Sequence, residues 1–323
     1  MTPTPQTIQP DAPFFIVMNG ASGRHDAQAV QHTIEGIMAE TGRQHSIHVV
    51  TDPSRLVAAA RAAVQQAQAR RGVVIAAGGD GTINTLAQAT LGSGCAFGVL
   101  PQGTFNYFSR THGIPADTEA AVRLLLRARA HPVQVGLIND RAFLVNASLG
   151  LYPQLLQDRE AFKQQYGRSR FIALLSSLVT LLRQHRQLRL RIEHGNEVTN
   201  LRTPTLFVGN NRLQLEQIGM NEAACLDRGM LAAVAVRPVG TLAMAWLMLR
   251  GALGTLGDAD NVHSFAFRRI AVTSVRPLGM RRVKVAADGE VTWMRGPLAF
   301  SVAPDPLMLL RPEPGDTMGG VIA

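Results

Sequence analysis

Gly78-Gly79-Asp80-Gly81-Thr82 sets three glycines around one carboxylate. An apolar run, Val73-Val74-Ile75-Ala76-Ala77, precedes it and reads as a buried strand, and Ile83-Asn84-Thr85-Leu86-Ala87-Gln88 after it begins a helical pattern. Glycine lets backbone N–H groups approach a ligand closely, and a helix N-terminus adds partial positive charge, so this turn has the makings of a phosphate cradle. A tight strand-to-helix turn that merely uses glycine is the plainer alternative. Asp80 would repel a phosphate, so beside one its chemistry would be to hold a cation or orient a hydroxyl rather than to touch the phosphate itself. Asp288-Gly289-Glu290 is a second acidic stretch; by itself it reads first as an Asp-Gly turn joining two strands, and only its place in an ordered set of motifs gives it chemistry.

The elements that must position these residues alternate between strand and helix. Phe14 to Met18 form a strand that ends in Asn19-Gly20-Ala21-Ser22-Gly23-Arg24, followed by helical spacing at Val30, Ile34, Ile37 and Met38. Ile47 to Val50 lead to Thr51-Asp52-Pro53, and Ser54 is expected to cap a helix reaching about Ala69. Ala96 to Leu100 end in Pro101-Gln102-Gly103-Thr104-Phe105-Asn106-Tyr107, and Ala116 to Arg129 read as helix. Such alternation predicts a parallel sheet, whose ligands bind beyond the carboxyl ends of the strands. All four strands end in small or polar residues there, which favours the cradle over the bare turn. No GxxxxGK[ST] occurs, and the Asn19–Gly23 loop lacks the dinucleotide glycine spacing.

From about Pro132 the pattern becomes antiparallel. Val133 to Ile138 and Ala142 to Val145 flank a hairpin signature at Asn139-Asp140-Arg141, and Leu188 to Ile192 alternate strictly. Several more short strands predict a sandwich. Arg159 to Arg186 read as a helix with basic flanks, packed on a sheet or facing anionic headgroups; Leu242 to Leu256 read as an apolar helix, core or lid. The expected organisation is a disordered tail over 1–12, an α/β domain over 13–131 with 303–318 returning to it, and a β-rich domain over 132–302.

The motif set as a whole resembles the diacylglycerol kinase catalytic family: GGDGT at 78–82 with Ile83-Asn84, an earlier Asn-x-x-Ser-Gly and a later Pro-x-Gly-Thr-x-Asn. The resemblance implies ATP bound by Asn19, Ser22, Thr51, Gly78, Gly79, Asp80, Gly81, Thr82, Ile83, Asn84 and Thr104, with Mg2+ as cofactor and a lipid alcohol as acceptor. It implies Glu290 as proton acceptor, with Asp288 in a supporting role and Asp80 beside them in the catalytic set. Tyr107 stands where bacterial members carry Asp, and Arg228 where they place a Mg2+-binding Asp before Gly. Asp227 and the backbone carbonyl of Met230 are what remain of that auxiliary metal site. A kinase of the NAD kinase type, or a non-catalytic binding protein of the same fold, are the alternatives.

Composition bounds the partners. Of 323 residues 46% are hydrophobic and 17% charged, as in a folded globular protein, and the net charge is +9. That charge suits anionic partners, but the basic residues are scattered without an aromatic platform, which disfavours nucleic acid. Cys95 and Cys225 make no disulfide framework, and the longest apolar runs fall short of a membrane span. A cytoplasmic protein that touches an anionic membrane peripherally is expected, with a homodimer as one assembly open to it.

Overall fold

The structure, a computed structural model, describes residues 4–20, 27–150, 187–195, 197–275 and 282–313. Two compact units emerge: residues 1–135 with 303–323, and residues 136–302. The expected helix over 159–186 lies outside the described residues, as does Ser22.

Unit 1 runs β1 (Phe14–Asn19), α1 (Ala27–Thr41), β2 (His45–Val50), α2 (Leu56–Arg70), β3 (Val73–Gly78), α3 (Asp80–Thr90), β4 (Ala96–Pro101), α4 (Tyr107–Thr111), α5 (Thr118–Arg127) and β5 (Arg129–Val133). Strands β1, β3 and β4 are apolar along their length because helices bury the central strands of such a sheet on both faces. The sheet order is β2-β1-β3-β4, then the returning strand Leu307–Arg311, then β5. The returning strand runs parallel to β4 and antiparallel to β5. The core packs Phe14, Ile16, Ile75 and Leu100 of the sheet against Ile34, Met38 and Leu125 of helices.

Three details differ from the sequence reading. Asp52, not Ser54, caps the turn before α2: its carboxylate accepts from the Ser54 N–H and hydroxyl, and Pro53 takes the position that needs no donor. Residues 4–12 are not a free tail, because Gln6 exchanges both backbone hydrogen bonds with Ala130 and the Arg43 guanidinium donates to the Gln9 and Ala12 carbonyls. The run from Val133 to Ile138 is not one strand: it breaks at Gln134-Val135, where the chain leaves one sheet and enters another.

Unit 2 begins with β6 (Gly136–Ile138), β7 (Arg141–Phe143), β8 (Asn146–Gly150), β9 (Leu188–His194), β10 (Glu197–Thr203), β11 (Thr205–Gly209) and α6 (Arg212–Gln217). It continues with β12 (Leu231–Val236), α7 (Thr241–Ala252), β13 (Val262–Phe267), β14 (Arg269–Ser274), β15 (Arg282–Ala287), β16 (Glu290–Arg295) and β17 (Leu298–Val302). These strands form two six-stranded antiparallel sheets, β10-β9-β14-β17-β6-β7 and β13-β12-β11-β8-β15-β16. One apolar core joins the two, with Phe143, Leu190, Ile192 and Phe300 from the first and Leu149, Val208, Leu231 and Val285 from the second. That is the sandwich the alternation predicts: on β9, Leu188, Leu190 and Ile192 face in while Arg189 and Arg191 face out.

Candidate active-site residues

In unit 1 the four parallel strands end together. Asn19 lies opposite Val50, and Gly78 opposite Pro101, so the loops that follow share one edge of the sheet. Helix α3 starts at once, with Gly79 as its cap and Asp80 in its first turn, where the helix dipole favours a carboxylate. Two glycines are required by close approach. A Cβ on Gly78 would lie 2.6 Å from the Thr82 Cβ, and one on Gly103 would lie 3.0 Å from the Gly79 Cα and 2.7 Å from the Asn106 Oδ1. The loops after β3 and β4 therefore touch backbone to backbone. Asn106 locks the second: its side chain accepts from the Gly103 N–H (3.0 Å) and donates to the Gly103 carbonyl (2.9 Å). It is buried, at a φ of 47° that asparagine tolerates. The Gln102 N–H donates to the Gly78 carbonyl (2.9 Å), and the Asn19 amide donates to the Thr82 hydroxyl (3.1 Å).

Asn19 and Thr82 thus knit β1 to α3, and Thr82 is buried. Gly79, Asp80, Gly81 and Asn84 are partly exposed around the start of α3, while Thr51 and Thr104 stand exposed on neighbouring loops. Ile83 departs from its expected place: its side chain is fully buried in the core and its N–H donates to the Gly79 carbonyl, so neither faces a ligand. Beyond the expected set lies an aromatic stack. The Phe105 and Tyr107 rings are parallel within 7° at 5.9 Å, and the Arg110 guanidinium sits 6.0 Å from the Tyr107 ring. Asn106 belongs to the Pro-x-Gly-Thr-x-Asn motif, but its clamp depends on a left-handed backbone that residue type alone does not specify.

In unit 2, Asp288-Gly289 is the two-residue turn of the β15–β16 hairpin, with φ of 46° and 87°, the positive values such a turn demands. The Asp288 carboxylate accepts three successive backbone N–H groups, from Leu144 (2.6 Å), Val145 (2.9 Å) and Asn146 (3.0 Å). The Asp288 N–H in turn donates to the Asn146 carbonyl (2.9 Å). This carboxylate is committed to holding backbone, which makes Asp288 a positioning residue, a supporting part rather than a reacting one. Glu290 follows the turn, mostly exposed, with the Arg141 guanidinium 3.4 Å from its carboxylate. Arg141 reads in sequence only as a turn residue; 149 positions separate it from Glu290.

The remaining candidates do not assemble a metal site. Asp227 is gripped by Arg212 at 2.7 Å, and the same guanidinium reaches Glu216 at 2.6 Å. The Met230 carbonyl faces the Cys225 thiol at 3.8 Å. Among the described residues no three His, Cys, Asp or Glu side chains cluster as metal ligands.

Comparison with known proteins follows these elements. The family model described as the diacylglycerol kinase catalytic domain matches residues 13–138. The chain is 30% identical over 240 residues to a protein of Chromohalobacter salexigens named "Probable lipid kinase YegS-like", covering 72% of this chain and 74% of that protein. Proteins of the same name from Cronobacter sakazakii and Klebsiella pneumoniae are 34% identical over 143 residues and 43% identical over 79. Those two matches span 45% and 27% of the relatives' own length, less than half of each. In fold, the chain is similar to a diacylglycerol kinase of Bacillus anthracis str. Sterne, with a TM-score of 0.67, 19% identity, and coverage of 94% of this chain and 97% of that one.

Proposed function

This chain belongs to the diacylglycerol kinase catalytic-domain family, and on that footing we propose that it is an ATP-dependent lipid kinase acting on the hydroxyl of a diacylglycerol-like lipid. The observation that carries the proposal is the contact of the Gly79 and Gly103 loops at the strand ends, fixed by Asn106. It leaves bare backbone beside the N-terminus of α3, which suits a polyphosphate. In the proposed reaction the lipid oxygen attacks the γ-phosphorus, its proton passes to the Glu290 carboxylate, and the bond to the β-phosphate oxygen breaks as ADP leaves.

Mg2+ takes few protein ligands and keeps water and phosphate oxygens, so Asp80, partly exposed at the start of α3, fits as its one carboxylate. Asp227 does not fit, because a cation there would have to displace Arg212. When bound, Mg2+ supplies charge neutralisation at the transferring phosphate. The NAD kinase alternative has no observation of its own in its favour.

The test is transfer of labelled phosphate from ATP to a panel of lipid alcohols in mixed micelles, with Asp80→Asn alongside. Labelled lipid phosphate that depends on Asp80 is expected. Labelled NADP in place of lipid, or no product on any lipid despite measurable ATP binding, would overturn it.

A further inference from the structure

The outer face of the second sheet of unit 2 carries an unusual set of side chains. Val283, Val285 and Ala287 of β15 lie in the sandwich core and Met294 packs against it. By alternation, Arg282, Lys284 and Ala286, with Val291, Trp293 and Arg295 opposite them, face away from it. Arg282 pairs directly with Arg295, and the Lys284 ammonium lies 5.2 Å from the Trp293 ring. Like charges opposite each other across a hairpin are unfavourable in isolation. No carboxylate occupies the outward positions of this hairpin.

The same face carries a second exposed feature. Leu231, Ala233 and Ala235 of β12 are in the core, so Val236, next but one to Val234, points outward and takes Met244 and Leu247 of α7 onto it. Trp246, Leu249 and Leu253 lie elsewhere on α7 and are 59%, 47% and 67% exposed. The Leu253 N–H still donates to the Leu249 carbonyl, which extends the helical turn to Leu253. Spaced by three and four, these residues form one stripe. A surface helix normally turns polar residues outward there; apart from Thr241, α7 offers only Arg250. The stripe itself carries no charge, so this feature is apolar where the hairpin is cationic. The chain's two tryptophans are thus both more than half exposed on the outer side of one sheet, Trp293 on its β16 edge and Trp246 on α7, while Leu215, Met220, Ala223 and Cys225 cover Ala232 and Val234 between them.

We infer that this face rests on an anionic lipid surface, with α7 inserting apolar side chains at headgroup depth and Arg282, Lys284 and Arg295 meeting lipid phosphates. Charge complementarity selects this occupant: a second copy packed symmetrically would set cation against cation, whereas an anionic bilayer relieves the Arg282–Arg295 repulsion. An exposed indole beside a lysine, and a second on an apolar helix, suit the interfacial layer of a bilayer. The inference deepens the lipid-kinase reading by naming the surface that meets the substrate's membrane. No described helix is long and apolar enough to cross one.

The test uses the full chain without nucleotide. Trp246→Phe and Trp293→Phe each leave a single indole as reporter. Vesicles of phosphatidylcholine containing phosphatidylglycerol should shift the emission of both reporters to the blue, and brominated-chain lipid should quench both. Replacing Arg282 and Arg295 with Gln should lower partitioning onto these vesicles roughly 30-fold, and Leu249→Ser with Leu253→Ser at least about tenfold. Two silent indoles on vesicles that sediment the protein would overturn the inference. So would a dimer that buries both indoles without lipid, or an oligonucleotide bound as tightly as the vesicles. Vesicle binding without lipid phosphorylation leaves this face standing and removes the kinase reading; phosphorylation with both indoles silent does the reverse.

Discussion

The loops of unit 1 and the hairpin of unit 2 are built by opposite means. At the ends of β3 and β4, order comes from absence: glycines remove side chains so that two loops can touch, and Asn106 closes its loop over three residues. At the β15–β16 hairpin, order comes from one carboxylate that gathers three backbone N–H groups 142 to 144 positions away. Short-range, glycine-based order leaves groups available to a ligand. Long-range, carboxylate-based order uses them up. The difference separates Asp288, which holds backbone, from Glu290, which keeps only a largely solvated pairing with Arg141 and to which the proposed reaction gives the proton transfer.

The sharpest way to break this contrast is Asp288→Ala. Three N–H groups would lose a charged acceptor, and a loss of about 3–5 kcal/mol of unit 2 stability is expected. Denaturant unfolding should show it, while nucleotide binding by unit 1 stays within about twofold. A mild effect on stability would mean that water replaces the carboxylate easily. Next in size is Gly103→Ala: the added methyl separates the two loops and displaces the buried Asn106 amide, so ATP affinity measured by calorimetry should fall at least about tenfold, with a lower melting temperature beside it.

Arg141→Met removes a largely solvated ion pair, so its stability cost should be below about 1 kcal/mol. Turnover should nevertheless fall severalfold, because Arg141 orients Glu290; an unchanged turnover would detach Arg141 from the site. The smallest effect belongs to His112, which packs edge-on to Phe108 at 4.7 Å. Burial first, and then Arg311, push its pKa down to about 3. The folded state therefore binds fewer protons than the unfolded state between about pH 3 and 6.5, and stability falls as pH drops through that window. At about pH 5.8 the share from His112 is about 1 kcal/mol. His112→Leu should flatten the acid limb of the stability curve by that amount.

How much was legible in the sequence follows the same division. The four strand-end loops were readable because strand, glycine and helix start are contiguous, and the alternation on β9 announced a sheet with one wet face. Asn19 and Thr82 were readable as neighbours of the loop but not as partners of each other, since 63 positions separate them. Ile83 belongs to the motif in sequence, but its apolar side chain belongs to the core. The hold of Asp288 on Leu144 to Asn146 and the pairing of Arg141 with Glu290 exist only once β6, β7, β8, β15 and β16 have paired. No local spacing encodes such contacts. The returning strand was readable as apolar, but its place between β4 and β5 is a matter of topology.

The central claim is that unit 1 holds the phosphate donor and Glu290 takes the acceptor's proton. Glu290→Gln tests it most directly, with ATP affinity and lipid phosphorylation measured on one preparation. The account predicts unchanged ATP affinity and turnover lowered by about 10²–10⁴-fold. Turnover within about threefold of the parent protein, or lost ATP binding, would contradict it.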